Sequence, residues 1–183
     1  MDTMGHEILV ALSITGRVCV GLVFLLAAAQ KAGHWRVLSA VIANYRLLPR
    51  ALVGPAASLL PPLEMILGLL LLFAMAMPWA VIASILLLAL FAVAMAINLR
   101  RGRAHIDCGC GQSFLKQTLN WTLITRNAVL AALLLPSLTM TGPVTLSTAL
   151  TGVCSGTAFF LLYLLLNTIS ALPRPDGRAH RFA

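Results

Sequence analysis

Long apolar stretches alternate with short polar segments along the whole chain, and this pattern predicts its elements. A helix needs about 20 mostly apolar residues to cross a bilayer, and five stretches reach that length. The predicted spans are residues 8–29, 56–76, 79–99, 119–140 and 147–171. We therefore predict an all-α fold, a polytopic transmembrane helical bundle of about five spans, with a four-helix core and one additional C-terminal helix.

Prolines shape the second predicted span. Pro55 and the Pro61-Pro62 pair lie near its start, and proline fits the first turn of a helix but breaks its interior. We expect the regular part of this helix to begin near Pro62, after an irregular lead-in from Val53. Pro78 follows Met77, and this dipeptide predicts a tight turn before the third span.

Composition supports the membrane assignment. Hydrophobic residues make up 60% of the chain and charged residues 10%, and the mean hydropathy is +0.96. Soluble domains average about 45–50% apolar and about 25% charged residues. Too few polar side chains remain to coat an aqueous surface, so we expect residues 1–183 to form a single integral membrane domain. Residues 100–118 are its cysteine-containing loop.

The basic residues predict an orientation. Eleven of the 13 lysines and arginines follow the first, third and fifth spans. They are Lys31, Arg36, Arg46 and Arg50, then Arg100, Arg101, Arg103 and Lys116, then Arg174, Arg178 and Arg181. Basic segments stay in the cytoplasm, so we expect a bacterial inner membrane protein with a periplasmic N-terminus and a cytoplasmic C-terminus. The net charge of +8 favours anionic lipid and not nucleic acid, since no nucleic-acid recognition module is recognisable.

The loop after the third span carries the candidate chemistry, because residues 105–111 read HIDCGCG. Cys108 and Cys110 are separated by one glycine, and they can close a small disulfide ring whose strain makes it easy to reduce. Basic neighbours, His105 and the start of the next helix favour the thiolate. A redox-active dithiol is the leading interpretation. The alternatives are a metal site that adds His105 and Asp107, for which one CxC supplies too few ligands, and merely structural cysteines.

Ionisable residues inside the spans are costly and usually functional. Arg17 and Glu64 lie at similar predicted depths in the first two spans, and we expect them to form an intramembrane pair. The pair is either a structural ion pair that fixes helix register or part of a proton or quinone site. In the second case the expected cofactor is a quinone.

Three further basic side chains are candidates to support the dithiol. Arg126, in the fourth span, either snorkels to the surface or points inward and stabilises a thiolate. Lys31 and His34 end the first span at the same side and can approach the loop or contact lipid head groups. Cys19 and Cys154 lie within spans, either as a second redox pair or as small buried residues.

Several segments of this chain resemble the methylamine utilisation protein MauE family, part of the MauE/DoxX-like redox-associated membrane proteins. The most specific segment is residues 97–111, INLRRGRAHIDCGCG. Residues 26–31 (LAAAQK), 44–49 (NYRLLP) and 60–68 (LPPLEMILG) agree as well. The resemblance implies that Cys108 and Cys110 are the exchanging pair.

The resemblance also implies a biological role. Members of the MauE family are required, together with a thioredoxin-like partner, MauD, for maturation of the disulfide-rich, periplasmic small subunit of methylamine dehydrogenase. The expected function is therefore that of a membrane thiol–disulfide redox protein, which acts either as a thiol–disulfide oxidoreductase or as an electron relay. The alternative is a non-catalytic scaffold that docks the partner or its substrate. The charge pattern places the loop in the cytoplasm, whereas the implied substrate folds outside.

Overall fold

We describe the fold from a computed structural model, which describes residues 3–103, 119–139 and 144–171. Every regular element in these ranges is a helix. The helices are α1 (Thr3–Ala32), α2 (Trp35–Tyr45), α3 (Arg50–Leu72), α4 (Trp79–Arg100), α5 (Trp121–Leu134), α6 (Pro136–Thr139) and α7 (Leu146–Ala171). Five segments are long and apolar enough to cross a membrane: α1, α3, α4, α5 with α6, and α7. The predicted helical membrane bundle of about five spans is confirmed.

The central helix of the bundle is α1, which packs against α3, α5, α6 and α7. The main apolar core lies where α1, α3, α4 and α5 meet. Its fully buried members include Val20, Phe24, Leu71, Val81 and Leu134. Apolar burial of this kind does not drive helices together inside lipid as it does in water, so close packing must hold them.

Two glycines set the register between α1 and α3. A Cβ on Gly68 would lie 2.9 Å from the carbonyl oxygen of Gly21, and a Cβ on Gly21 would lie 3.1 Å from the carbonyl oxygen of Gly68. Gly21 also faces Leu72, and Gly68 faces Leu25. The two helices therefore run antiparallel, with the glycine pair as their point of closest approach.

The expected irregular start of the second span is wrong. The helix α3 begins at Arg50, contains Pro55, Pro61 and Pro62, and ends at Leu72 rather than near residue 76. Each proline removes one backbone hydrogen bond and crowds the preceding turn. Neighbouring helices can support such a helix in a membrane protein, and the buried Ala57 and Pro61 show that this part of α3 is packed.

The helix α2 was not predicted from the sequence. Its apolar residues Leu38, Val41 and Tyr45 follow helical spacing, and Leu38 and Tyr45 are buried. This helix packs mainly against α3, while Trp35 and Arg36 at its start are exposed. An amphipathic period was readable here, although the segment is too short to be a span.

The last helix, α7, packs along α1 in the same direction. Gly152 faces Ile14, and Gly156 faces Thr15 and Val18. A Cβ on Gly156 would lie 2.7 Å from the Cβ of Val18, and the hydroxyls of Thr15 and Ser155 lie 2.7 Å apart. The small residues Gly152, Ser155 and Gly156 thus let α7 pack closely against α1.

Candidate functional site

The candidate thiols lie outside the described residues, together with His105 and Asp107. The structure does describe both ends of the loop that carries them. The described chain continues past the end of α4 at Arg100 to Arg103, whose backbone N–H donates to the carbonyl oxygen of Asn98 at 3.1 Å. It re-enters at Leu119, which is buried against Met95 and Tyr45. Both ends of the loop are therefore anchored at one end of the bundle.

A buried ion pair joins α1 to α3. The Lys31 ammonium donates a hydrogen bond to Glu64 Oε1, and the two side chains are 7% and 1% exposed. The Lys31 nitrogen also lies 5.3 Å from the centre of the Phe91 ring in α4, at cation–π distance. Three helices therefore enclose the Lys31 charge.

The expected pairing of Arg17 with Glu64 is wrong, because Glu64 pairs with Lys31. The glycine contact between α1 and α3 supplies the reason. Arg17 precedes Gly21 by four residues and Glu64 precedes Gly68 by four, so in antiparallel helices they are displaced in opposite directions. At 1.5 Å per residue the offset is about 12 Å, whereas Lys31 lies on the same side as Glu64.

Arg17 itself is half-buried in α1. Its Nε is buried and has no hydrogen-bond partner within the described part of the chain. The register set by Gly21 and Gly68 places Arg17 level with Leu72, at the end of α3. A cation is favoured beside the carbonyl end of a helix, so Arg17 is suited to a structural role away from the ion pair.

Two buried amides add polar groups to the same bundle. Asn98 is 0% exposed, its Nδ2 donates to the carbonyl oxygen of Ala94 at 3.1 Å, and its Oδ1 has no partner among the described residues. Asn127 Nδ2 in α5 is likewise buried without a partner there, as is Arg103 Nη1. Buried polar atoms normally have hydrogen-bond partners. Neither asparagine was predicted from the sequence as a site residue, although polar residues within apolar spans were the available signal.

Arg126 does not extend freely to the surface. Its Nη1 donates to Asn167 Oδ1 at 2.7 Å, and its guanidinium lies 5.3 Å from the centre of the Tyr163 ring. Both partners belong to α7. Arg126 therefore bridges α5 to α7, which is neither of the two roles weighed from the sequence.

The remaining candidates are dispersed. His34 is exposed between α1 and α2, with Nδ1 3.3 Å from the carbonyl oxygen of Gln30. Cys19 is buried and Cys154 is exposed, and both are free thiols. They form no disulfide with each other, and their different surroundings give no support to a second redox pair.

Comparison with known proteins identifies the family. The family described as "Methylamine utilisation protein MauE" matches residues 9–140, from α1 to the end of α6. Curated relatives named methylamine utilization protein MauE include one from Paracoccus denitrificans, 38% identical over 160 residues, covering 85% of this chain and 86% of the relative. One from Methylorubrum extorquens is 38% identical over 158 residues, covering 82% and 84%.

A third MauE relative, from Methylophilus methylotrophus, is 32% identical over 181 residues and covers 94% of this chain and 92% of its own length. No solved structure matches the chain. The family match takes in all four helices around the apolar core, both ends of the cysteine loop and the loop itself. The chain belongs to the MauE family of methylamine utilisation proteins.

Proposed function

We propose that this chain is a membrane thiol–disulfide redox protein that supports maturation of a periplasmic enzyme in methylamine utilisation. The small subunit of methylamine dehydrogenase is the proposed substrate, and a thioredoxin-like, MauD-like protein is the proposed partner. The observation that carries the proposal is membership of the MauE family over residues 9–140, a range that includes the Cys108-Gly109-Cys110 segment.

The proposed chemistry is a two-step exchange. The thiolate of one cysteine attacks a sulfur of the partner's disulfide, which forms a mixed disulfide and releases one partner thiolate. The second cysteine then attacks the mixed disulfide, so that the Cys108–Cys110 disulfide forms and the second partner thiolate leaves. Two electrons pass from the dithiol to the partner, and the reverse sequence passes them back.

The surroundings of the loop support thiol chemistry. Arg103 is half-buried where the predicted loop begins, and its positive charge favours the thiolate that attacks. The charge of Lys31 is paired with Glu64. Within the described ranges, Cys19 and Cys154 lie in helices α1 and α7. Cys108 and Cys110 are the only cysteines that the sequence places in a predicted loop.

Serine substitution tests the function. Cys108→Ser and Cys110→Ser, introduced into a Paracoccus denitrificans strain that lacks its own MauE, should abolish disulfide-bonded small subunit and growth on methylamine. Cys154→Ser is the matched control, because this thiol is exposed on α7, and it should leave both unchanged. The readout is the small subunit's thiol content after alkylation in intact cells.

A scaffold is the alternative class of function. A scaffold holds the partner or its substrate through loop surfaces and needs no thiol, so the serine variants would mature the enzyme as well as the unmodified chain does. That result would refute the redox proposal. A mixed disulfide trapped by Cys110→Ser but not by the variant that lacks both loop cysteines would support it and identify the partner.

We also propose that the protein lies in the bacterial inner membrane with the cysteine loop and C-terminus in the cytoplasm. The basic residues that follow α1 and α4 support this orientation. The proposed substrate is periplasmic, so this orientation requires one of two arrangements. Either electrons cross the helical bundle, or the Cys108-Gly109-Cys110 motif is reached from both faces of the membrane. Labelling of Cys108 in intact cells by an impermeant thiol reagent would refute the orientation, with a periplasmic engineered cysteine at Thr3 as the positive control.

A further inference from the structure

The short helix α2 lies at the end of the bundle that bears every exposed arginine of the described chain. It begins just after the end of α1. Its last residue, Tyr45, belongs to the buried cluster of Met95 and Leu119, near the end of α4 and just before α5. Both ends of α2 therefore lie at the same end of the bundle. A helix of 11 residues, roughly 16 Å long, is also too short to cross a bilayer, so α2 lies at the membrane surface.

The two faces of α2 differ. Leu38 and Tyr45 are buried on the face that packs against the bundle. Arg36 projects from the other face, about 160° from Leu38 and about 180° from Tyr45 around the helix axis. Its guanidinium lies 5.9 Å from the centre of the exposed Trp35 ring. Exposed apolar side chains lie in and beside the same helix: Val37, Leu47 and Leu48. Aromatic, aliphatic and basic side chains in this combination are typical of a helix in the membrane interface.

Three exposed arginines around α2 occupy positions that the fold itself disfavours. Arg36 and Arg50 lie in the first turns of α2 and α3, where the helix dipole opposes a cation. Arg46, at the end of α2, has a left-handed backbone with a φ of 49°, a conformation that glycine adopts at lower cost. Because helix stability does not account for these arginines, their charge is suited to binding an anion.

The other exposed charges at this end do not neutralise them. Arg100 and Arg101 lie in the last turn and at the end of α4, where the helix dipole favours a cation. The carboxylates of the described ranges are Glu7, near the start of α1 at the opposite end, and the buried Glu64. The exposed charges that the structure describes at this end are therefore all positive.

We propose that Trp35, Arg36, Arg46 and Arg50 form a surface, the α2 surface, that binds the headgroups of anionic phospholipids. The arginines contact the phosphate groups, and Trp35 enters the boundary between headgroups and acyl chains. A phospholipid fits better than an acidic protein, because it presents a negative charge and an apolar chain together to arginines that lie beside exposed apolar side chains. The inference does not depend on the proposed thiol–disulfide exchange.

The test measures quenching of Trp35 fluorescence by brominated lipids. The full-length protein with Trp79→Phe and Trp121→Phe retains Trp35 alone. It is reconstituted in phosphatidylcholine bilayers that contain an equal small fraction of either brominated phosphatidylglycerol or brominated phosphatidylcholine. Phosphatidylglycerol should quench more strongly, to an extent that corresponds to about fivefold enrichment beside Trp35, as expected for one basic side chain near an anionic surface. High salt should reduce the enrichment.

Trp79 provides the matched control position, because it is exposed at the start of α4, at the opposite end of the bundle. A variant that retains Trp79 alone should be quenched equally by the two lipids. In the protein that retains Trp35, replacement of Arg36 and Arg46 by glutamine should abolish most of the enrichment. Arg101→Gln removes one exposed arginine from the same end, and it should reduce the enrichment less than Arg36→Gln does.

Equal quenching of Trp35 by the two lipids would overturn the proposal and leave an acidic protein as the occupant of the α2 surface. An enrichment that survives loss of Arg36 and Arg46, or that falls as much with Arg101→Gln as with Arg36→Gln, would also overturn it. Arg46→Gly separates binding from folding, because glycine relieves the left-handed backbone. This variant should lower the enrichment without lowering the thermal unfolding temperature in neutral detergent, and a lower unfolding temperature would contradict the role assigned to Arg46.

Discussion

Gly16 of α1 lies directly against the backbone of Leu133 in α5. A Cβ on Gly16 would come within 2.0 Å of the Leu133 carbonyl oxygen, a distance that no side chain can occupy. Three residues before Gly16, the Ser13 hydroxyl donates to Ser137 Oγ at 3.0 Å. The backbone approach and the serine contact together fix the register of α1 against the α5–α6 segment.

Gly16→Ala should therefore destabilise the bundle. The added methyl must push α1 away from α5, and overpacking of this kind costs about 1–3 kcal/mol. Thermal unfolding in detergent measures the effect. Gly54→Ala is the control, because Gly54 lies in α3 with no neighbouring atom within 4 Å. It should be neutral or stabilising by up to about 1 kcal/mol, and equal losses in both variants would refute the assigned packing.

Gly156→Val should loosen α7 from α1. The new side chain would meet Val18 and the carbonyl oxygen of Thr15, which lie 2.7 and 2.8 Å from a Cβ at this position. We expect a loss of about 1–3 kcal/mol and faster proteolysis near α7. Val153→Ile adds a methyl group on the same helix at a position that is 47% exposed, and it should have little effect. Resistance of Gly156→Val to both assays would contradict the close α1–α7 contact.

Arg126 and Asn167 should show coupled effects on stability. A hydrogen bond from a guanidinium is charge-assisted, and it joins helices that otherwise touch little. Arg126→Met, Asn167→Leu and the double variant form a cycle in which we expect a coupling energy of about 0.5–2 kcal/mol. Additive losses of stability would contradict a contact between Arg126 and Asn167. Thr168→Val, beside it and exposed, is the control.

Substitutions of Cys19 and Cys154, the two cysteines within helices, should differ in their effect on protein stability but not on small-subunit maturation. Cys19→Ser places a hydroxyl in the main apolar core and should cost about 1–3 kcal/mol, whereas Cys154→Ser on the exposed side should change stability by less than about 0.5 kcal/mol. Small-subunit maturation should persist when both are replaced by alanine. Loss of maturation in that variant would revive a redox role for the second pair.

Hydropathy was sufficient to predict the spans because a bilayer imposes one requirement on every crossing segment, a length of apolar helix. The starts of α4 at Trp79 and α7 at Leu146 fall within one residue of expectation. The start of α3 did not. Propensity places proline at a helix start, but packing of Ala57 and Pro61 holds α3 helical across all three prolines.

The partner of Glu64 was not predictable from the sequence. The depths of Arg17 and Glu64 in the membrane depend on where the spans end, and a shift of a few residues at each end moves a side chain by several ångströms along the helix axis. The glycine contact between α1 and α3 corrects the count. Arg126 shows the same limit, since its partners Tyr163 and Asn167 lie about 40 residues further along the chain, in α7.

Apolar length and a short cysteine motif are local properties, so the sequence alone predicts an all-helical membrane bundle of the MauE type with its candidate thiols in one loop. Which polar side chains contact each other depends on the tertiary structure. Lys31 reaches Glu64, and Arg126 reaches Asn167, because glycines let helices approach closely and so set their register. Register depends on backbone contact between distant segments, which no local pattern records.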